Sequence, residues 1–190
     1  MIPHVSVRSE ADQVTMDDVL DCYETMRDGI VRRAEIAKRN LTDGTDLQDP
    51  KLFGKSVDEL NAYFERLLDE ADKQASLFII AAAEAALRVD FWKRVDGKRG
   101  KRNDSVNRAF CRIRKSRKVR ERLEEDILDT WSDAVLGAKS KVGVFKGALR
   151  FRHWLAHGRY WVWKHGAKYD PNALILIVED LFSKTGVAGN

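Results

Sequence analysis

Two cysteines, Cys22 and Cys111, are all that a chain of 190 residues offers, and they are far apart with no CxxC spacing. A disulfide scaffold and a thiolate metal site are therefore both excluded as organising devices, and a reducing, cytoplasmic setting is expected. Prolines are three, so little interrupts helix formation. Met1 to Glu10 contains no apolar core of a signal peptide. The most apolar run, Leu77 to Ala83, is far shorter than a bilayer span, so no membrane partner is expected. No Gly-rich phosphate loop is present either: Gly97-Lys-Arg-Gly100 lacks the spacing and the Ser/Thr of one.

What the chain has in quantity is charge, and it is unevenly placed. Residues 1–92 hold 11 Lys+Arg against 19 Asp+Glu, whereas residues 93–122 hold 14 against 3. Between Asp133 and Asp170 there is no acidic residue, yet eight Lys and Arg fall there. Two basic segments of this kind suit a polyanion, because each neutralised phosphate releases condensed counterions.

Helix-forming residues dominate, and caps mark the boundaries. Thr15-Met-Asp-Asp18 and Ser56-Val-Asp-Glu59 read as capping boxes that open helices to about Arg39 and about Val95. The second helix carries Val57, Leu60, Phe64, Leu67, Leu68, Ala71, Ala75 and Phe78 at helical spacing, then turns apolar nearly all round. Asp104 to about Arg117 and Glu121 to about Leu136 are two further helices, and Val144 to His157 is another, stopped by Gly158. Pro171 suits the first turn of a last one, and Tyr160 to Trp163 could form a short strand. The expectation is an all-α bundle of five or six helices in one domain, residues 15–185, with tails at 1–14 and 186–190.

The helix ending at His157 carries the chemistry. At 100° per residue, Val144, Ala148, Phe151 and Leu155 share one arc and are expected to face the core. Lys146, Arg150, His153 and His157 share another. Guanidinium forks bind phosphate oxygens and imidazoles move protons near neutral pH, so this second face suits a phosphodiester. Arg152 stands at the edge of the core arc beside Phe145 and Ala156, about 140° from His157. Single-helix geometry therefore favours Arg150 as the partner of His157. His153 and His157 have the spacing of a zinc pair, but Trp-Leu-Ala between them supplies no glutamate and no third ligand stands near, so neither metal nor cofactor is expected. Glu84 is the one charge between Gln74 and Arg88; a salt bridge with Arg88 or Arg152 is its first reading, an acid supporting the site its second.

Arg152-His153-Trp-Leu-Ala-His157-Gly158 resembles the signature of the HEPN superfamily, in which Arg precedes His by four to six residues, a polar residue often follows the Arg, and glycine follows the His. Arg152 gives the four-residue spacing and Arg150 the six-residue one. The resemblance implies a domain that dimerises so that two such helices line one cleft. It further implies a metal-independent endoribonuclease of toxin–antitoxin or phage-defence type, with an antitoxin or a larger defence complex as a further partner. In that picture His157 is the general acid/base, Arg152 stabilises phosphorane charge and His153 orients or shares the proton, with Arg150 and Lys146 as phosphate ligands. RNA contacts are expected from Lys98, Arg99, Lys101, Arg102, Arg159 and Tyr160. Tyr160, Trp161 and Trp163 suit either base stacking or packing. The alternatives are a non-catalytic HEPN-like module that binds RNA or nucleotides or a helical partner, and a DNA-binding protein using residues 104–122.

Overall fold

The computed structural model describes residues 14–45, 49–96, 104–116, 121–159, 162–163 and 169–188. Among them are six α-helices and no strand, so the all-α expectation holds. They are α1 (Met16–Thr42), α2 (Val57–Asp96), α3 (Ser105–Ser116), α4 (Asp129–Ala134), α5 (Ala138–Ala156) and α6 (Pro171–Thr185). The chain forms two compact units, one of residues 17–75 and one built on residues 76–190. The 40-residue α2 contributes its first half to one and its second half to the other.

The unit of residues 17–75 pairs α1 with the start of α2. The capping box forms as its sequence requires. The Ser56 N–H donates to Glu59 Oε2 at 2.8 Å, and the Glu59 N–H donates to Ser56 Oγ at 3.3 Å. Ala37, Leu52, Leu60 and Phe64 make the core, with Ile30, Ala34, Leu41, Tyr63 and Leu67 against them. Val57 is half exposed because it precedes that stripe. Above the core, the Tyr23 hydroxyl donates to Asp72 at 2.7 Å and Arg27 pairs with the same carboxylate at 3.2 Å.

In the unit of residues 76–190 the buried line of α2 runs through Ile79, Ile80, Ala83, Leu87 and Phe91. Phe78 falls off that line and is exposed. Three rings in edge contact carry the core across helices: Phe91 to Phe110 of α3 at 5.0 Å, then Phe110 to Trp131 of α4 at 5.7 Å. Arg94 lies over Trp131 at 4.7 Å and hydrogen-bonds to Asp90 at 2.6 Å and Asn107 at 3.2 Å, which satisfies polar groups sealed beside the rings. Where one uniform helix from Glu121 to Leu136 was expected, Leu123–Leu128 is a wider π-type segment leading into α4. The Asp126 carboxylate accepts from the Arg122 N–H at 2.6 Å, and Thr130 Oγ1 donates to the Asp126 carbonyl at 2.6 Å. Side chains bonding to local backbone distort helical turns in this way.

α5 starts six residues earlier than its periodicity suggests, because Gly137 at φ +81° turns the chain into it and Gly143 is simply helical. Its buried residues are Ala138, Val142, Phe145, Gly147, Ala148, Leu149 and Phe151. Val144, expected in the core, is 47% exposed, and Leu155 is only half buried. Ala148 and Phe151 are buried as expected, and the buried face widens toward Phe145 and Leu149, its centre moving by about 60°. Gly147 lets the Tyr169 hydroxyl touch the helix backbone: a Cβ there would stand 2.2 Å from that oxygen. At the C-terminus Gly158 at φ +78° closes the helix, its N–H bonding to the Leu155 carbonyl at 3.4 Å and the Arg159 N–H to the Trp154 carbonyl at 3.3 Å. This is the glycine stop expected there. α6 opens with Pro171 in its first turn, as expected, and with the Asp170 side chain accepting from the Ala173 N–H, a cap the sequence reading did not name.

Two outcomes follow. Gly147→Ala should destabilise the protein by about 1 to 3 kcal/mol through overpacking, and Tyr169→Phe should restore part of the loss in a double-mutant cycle read by urea denaturation. The Ser56 N–H, then its hydroxyl, hold the Glu59 carboxyl below its ordinary value. That contribution is complete above the unfolded glutamate range near pH ~4.3 and fades as pH falls through the lower folded value. Glu59→Gln should therefore remove that acid-sensitive part of the stability, as unfolding curves of variant and wild type at neutral and acid pH would register.

Candidate functional site

The turned core arc decides where the arginines go. Phe145 and Leu149 point into the protein, and Arg152 is the next residue on that line. It thus ends over α2, where its Nη1 meets Glu84 Oε2 at 3.4 Å while its Nε is buried with no hydrogen-bond partner. Glu84 is the hub of a chain of ions. Arg88 Nε and Nη2 both donate to Glu84 Oε1 at 3.1 Å, and Arg88 Nη1 reaches Glu121 Oε1 at 3.4 Å. Glu84 therefore has the structural salt bridges read for it in the sequence, with Arg88 and Arg152 together.

Over this network lies a groove of about 790 Å³. One wall is α5, with Arg150, Arg152 and His153; the floor is Glu84 and Arg88; the facing wall carries Glu121, Arg122, Glu124 and Glu125 from the segment before α4, Arg122 pairing with Glu125 at 3.0 Å. The structure thus brings three of the expected site residues, Arg150, Arg152 and His153, into one groove with Glu84. His157 is not part of its lining. It caps α5, its N–H bonded to the His153 carbonyl at 3.1 Å, and its ring packs on that of His153 at 4.1 Å between centroids. Both imidazoles are exposed.

The acid-free stretch is not an acid-free surface, and here the sequence reading needs correction. Lys146 is paired with Asp129 of α4 at 2.7 Å, and Lys141 with Asp180 of α6. Carboxylates arrive from elements distant in sequence, so Lys146 is already neutralised by a neighbour. Arg150, exposed on the groove wall, has no ion pair among the described residues. Arg159 follows the Gly158 stop in a left-handed conformation, φ +54°. Trp163 packs with Phe151 at 5.2 Å, Trp154 at 5.8 Å and Tyr169 at 6.1 Å, the packing alternative for this residue. Lys98, Arg99, Lys101, Arg102, Tyr160 and Trp161 lie outside the described residues.

Sequence reasoning missed Glu121, Glu124, Glu125 and Asp129. A carboxylate next to a basic block reads as ordinary surface charge, and no local pattern marks the helix it will face. Among the described residues no group of three His, Cys, Asp or Glu is placed to hold a metal ion, and no helix is long and apolar enough to cross a membrane. Compared with protein-family models, curated proteins and solved structures, the chain matches none of them.

Removing the hub charge leaves two guanidiniums under-compensated, and Glu84 is only 19% exposed. Glu84→Gln is expected to lower unfolding free energy by about 2 kcal/mol. Arg152→Met, at a side chain 41% exposed, should cost clearly less. Denaturant titration of both variants gives the comparison; equal losses would mean that Glu84 is not the hub.

Proposed function

We propose that the chain is a metal-independent endoribonuclease of toxin or defence type, an HEPN-like protein whose Arg/His site is completed by a second copy of the chain. The observation that carries this reading is the single wall on which α5 sets Arg150, Arg152 and His153, with the His157 ring packed at a tilt against His153. Such a wall offers phosphate ligands and proton carriers side by side and asks for no metal ion.

The chemistry follows from those groups. An imidazole takes the proton from a ribose 2′-hydroxyl as that oxygen attacks the adjacent phosphorus. Negative charge grows on the phosphorane oxygens, where guanidinium donors stabilise it. The bond from phosphorus to the 5′-oxygen then breaks, and the leaving oxygen receives a proton from an imidazolium. The products are a 2′,3′-cyclic phosphate and a 5′-hydroxyl. His157 takes the acid/base role, His153 orients it or shares the proton, and Arg152 meets the charge, with Arg150 as a phosphate ligand. Arg152 is drawn toward Glu84 in its own chain, so a two-copy cleft supplies the arrangement that a single α5 lacks. An antitoxin or a larger defence complex is the partner class that would restrain such an activity.

The facing glutamates favour a second reading. Glu121, Glu124 and Glu125, with Arg122 among them, offset the arginines of the groove and weaken its pull on a polyanion, as suits a non-catalytic module that binds a nucleotide, a short stretch of RNA or a helical partner.

Incubation with total RNA in EDTA separates the two. The nuclease reading expects fragments ending in 2′,3′-cyclic phosphate, a loss of at least about 100-fold for His157→Ala and of about 100- to 1000-fold for Arg152→Ala. Intact RNA after incubation with the folded wild-type dimer overturns it. RNA binding that His157→Ala leaves unchanged, without cleavage, establishes the second.

A further inference from the structure

Most of the charges that line the groove beside α5 are matched in pairs. Glu84 takes Arg88 and Arg152, Arg88 reaches on to Glu121, and Arg122 pairs with Glu125 at 3.0 Å. Two charges are left over. Arg150 on the α5 wall and Glu124 on the facing wall are both exposed, and neither side chain has an ion pair or hydrogen bond among the described residues. They stand on different elements, so this unmatched pair belongs to the groove and not to one helix. Leu149 and Trp163 add apolar surface to the same lining. At about 790 Å³ the groove has the size of a small-molecule site. A ligand that satisfies it has an anion at one end, N–H donors at the other and a flat apolar body. A nucleotide has that form.

We propose that Glu124 is the base-reading residue of this groove and selects guanine, with the phosphate of the same nucleotide toward Arg150. Glu124 repels phosphate, so of a nucleotide's two ends the base is the one that faces it. A carboxylate offers two acceptor oxygens and no donor. Guanine alone among the four bases presents two adjacent donors, N1–H and the N2 amino group, along its Watson–Crick edge. Adenine and cytosine set one amino group beside a ring acceptor, and uracil flanks its one N–H with two carbonyls. A carboxylate meeting any of those three in the same bidentate way faces at least one lone pair. Glu121 and Glu125 each have an oxygen engaged, by Arg88 and Arg122, which leaves Glu124 to read. Unpaired bases of RNA expose this edge, and contacts to it carry sequence information. That the nucleotide belongs to an RNA strand to be cut rests on the nuclease reading above; the guanine slot itself does not.

Calorimetric titration with the four nucleoside 5′-monophosphates reads the slot without any cleavage. Guanosine monophosphate should bind about 10-fold tighter than the other three. Glu124→Gln, at an exposed side chain that folding does not depend on, should abolish that preference. Glu125→Gln should keep it, because that carboxylate is held by Arg122. Arg150→Ala should weaken all four nucleotides alike and leave their ratio unchanged. On total RNA in EDTA, wild type should cut with guanine at one fixed position relative to the broken bond. Glu124→Gln should go on cutting, with that bias lost.

Equal affinity for the four nucleotides, binding of none of them, or a guanine preference that survives Glu124→Gln overturns the proposal. A preference lost in Glu125→Gln instead overturns the assignment to Glu124. If guanosine monophosphate is selected through Glu124 and no RNA is cut, the nuclease reading fails and the slot stands. If RNA is cut with no base preference, the nuclease reading stands and the slot fails.

Discussion

A carboxylate set among Ala81, Ala82, Ala83, Ala85 and Ala86 of α2 has to be compensated, and the arrangement around α5 depends on how Glu84 is. An unpaired carboxylate in such surroundings is costly, whereas one bonded by guanidinium donors is tolerated. Arg88, one turn along, supplies two of those donors, and its remaining nitrogen reaches Glu121. The start of the segment leading to α4 is thereby tied to α2. Arg152 closes the other side and draws the C-terminal end of α5 toward the same carboxylate. The groove exists because this one charge gathers three elements around it, and His153 stands at its edge because α5 is held there.

Much of this was legible locally. The Ser56/Glu59 cap, the Gly158 stop and the Pro171 start rest on rules that act within a few residues, and each appears where the sequence places it. The phase of α5 was not. Val144, Ala148, Phe151 and Leu155 make one apolar arc, and Val142, Phe145, Ala148 and Leu149 make another beside it. Ala148 belongs to both, so periodicity alone cannot choose. The choice is made by what packs on the helix, α4 and α6 together with the Tyr169 hydroxyl on Gly147. The same limit hid the π-type segment, whose apolar residues Leu123, Ile127 and Leu128 are spaced like those of an ordinary helix while its hydrogen bonds are not.

Charge was misread for a related reason. A sequence shows which segments lack acids, yet ion pairs form between segments. Lys141 and Lys146 lie in the acid-free stretch, and both find carboxylates on α6 and α4. Among the described residues, the positive charge that stays without an ion pair on the groove wall of α5 is narrower than the sequence suggests: it is Arg150.

The pairing of Arg152 with Glu84 need not oppose phosphate binding. Glu84 is held mainly by Arg88, through two contacts at 3.1 Å, against one at 3.4 Å from Arg152. A guanidinium carries five N–H donors in a fixed plane, so a single contact through Nη1 leaves most of the fork available. The buried Nε has no hydrogen-bond partner, which leaves that donor's demand unmet within the chain. On the proposed nuclease reading, Glu84 would be the stop that fixes the guanidinium plane, and an incoming phosphate oxygen would gain from donors already oriented. Preorganisation of this kind strengthens most where charge develops during reaction. On this view the carboxylate that weakens resting attraction for a polyanion is also what aims the arginine at it.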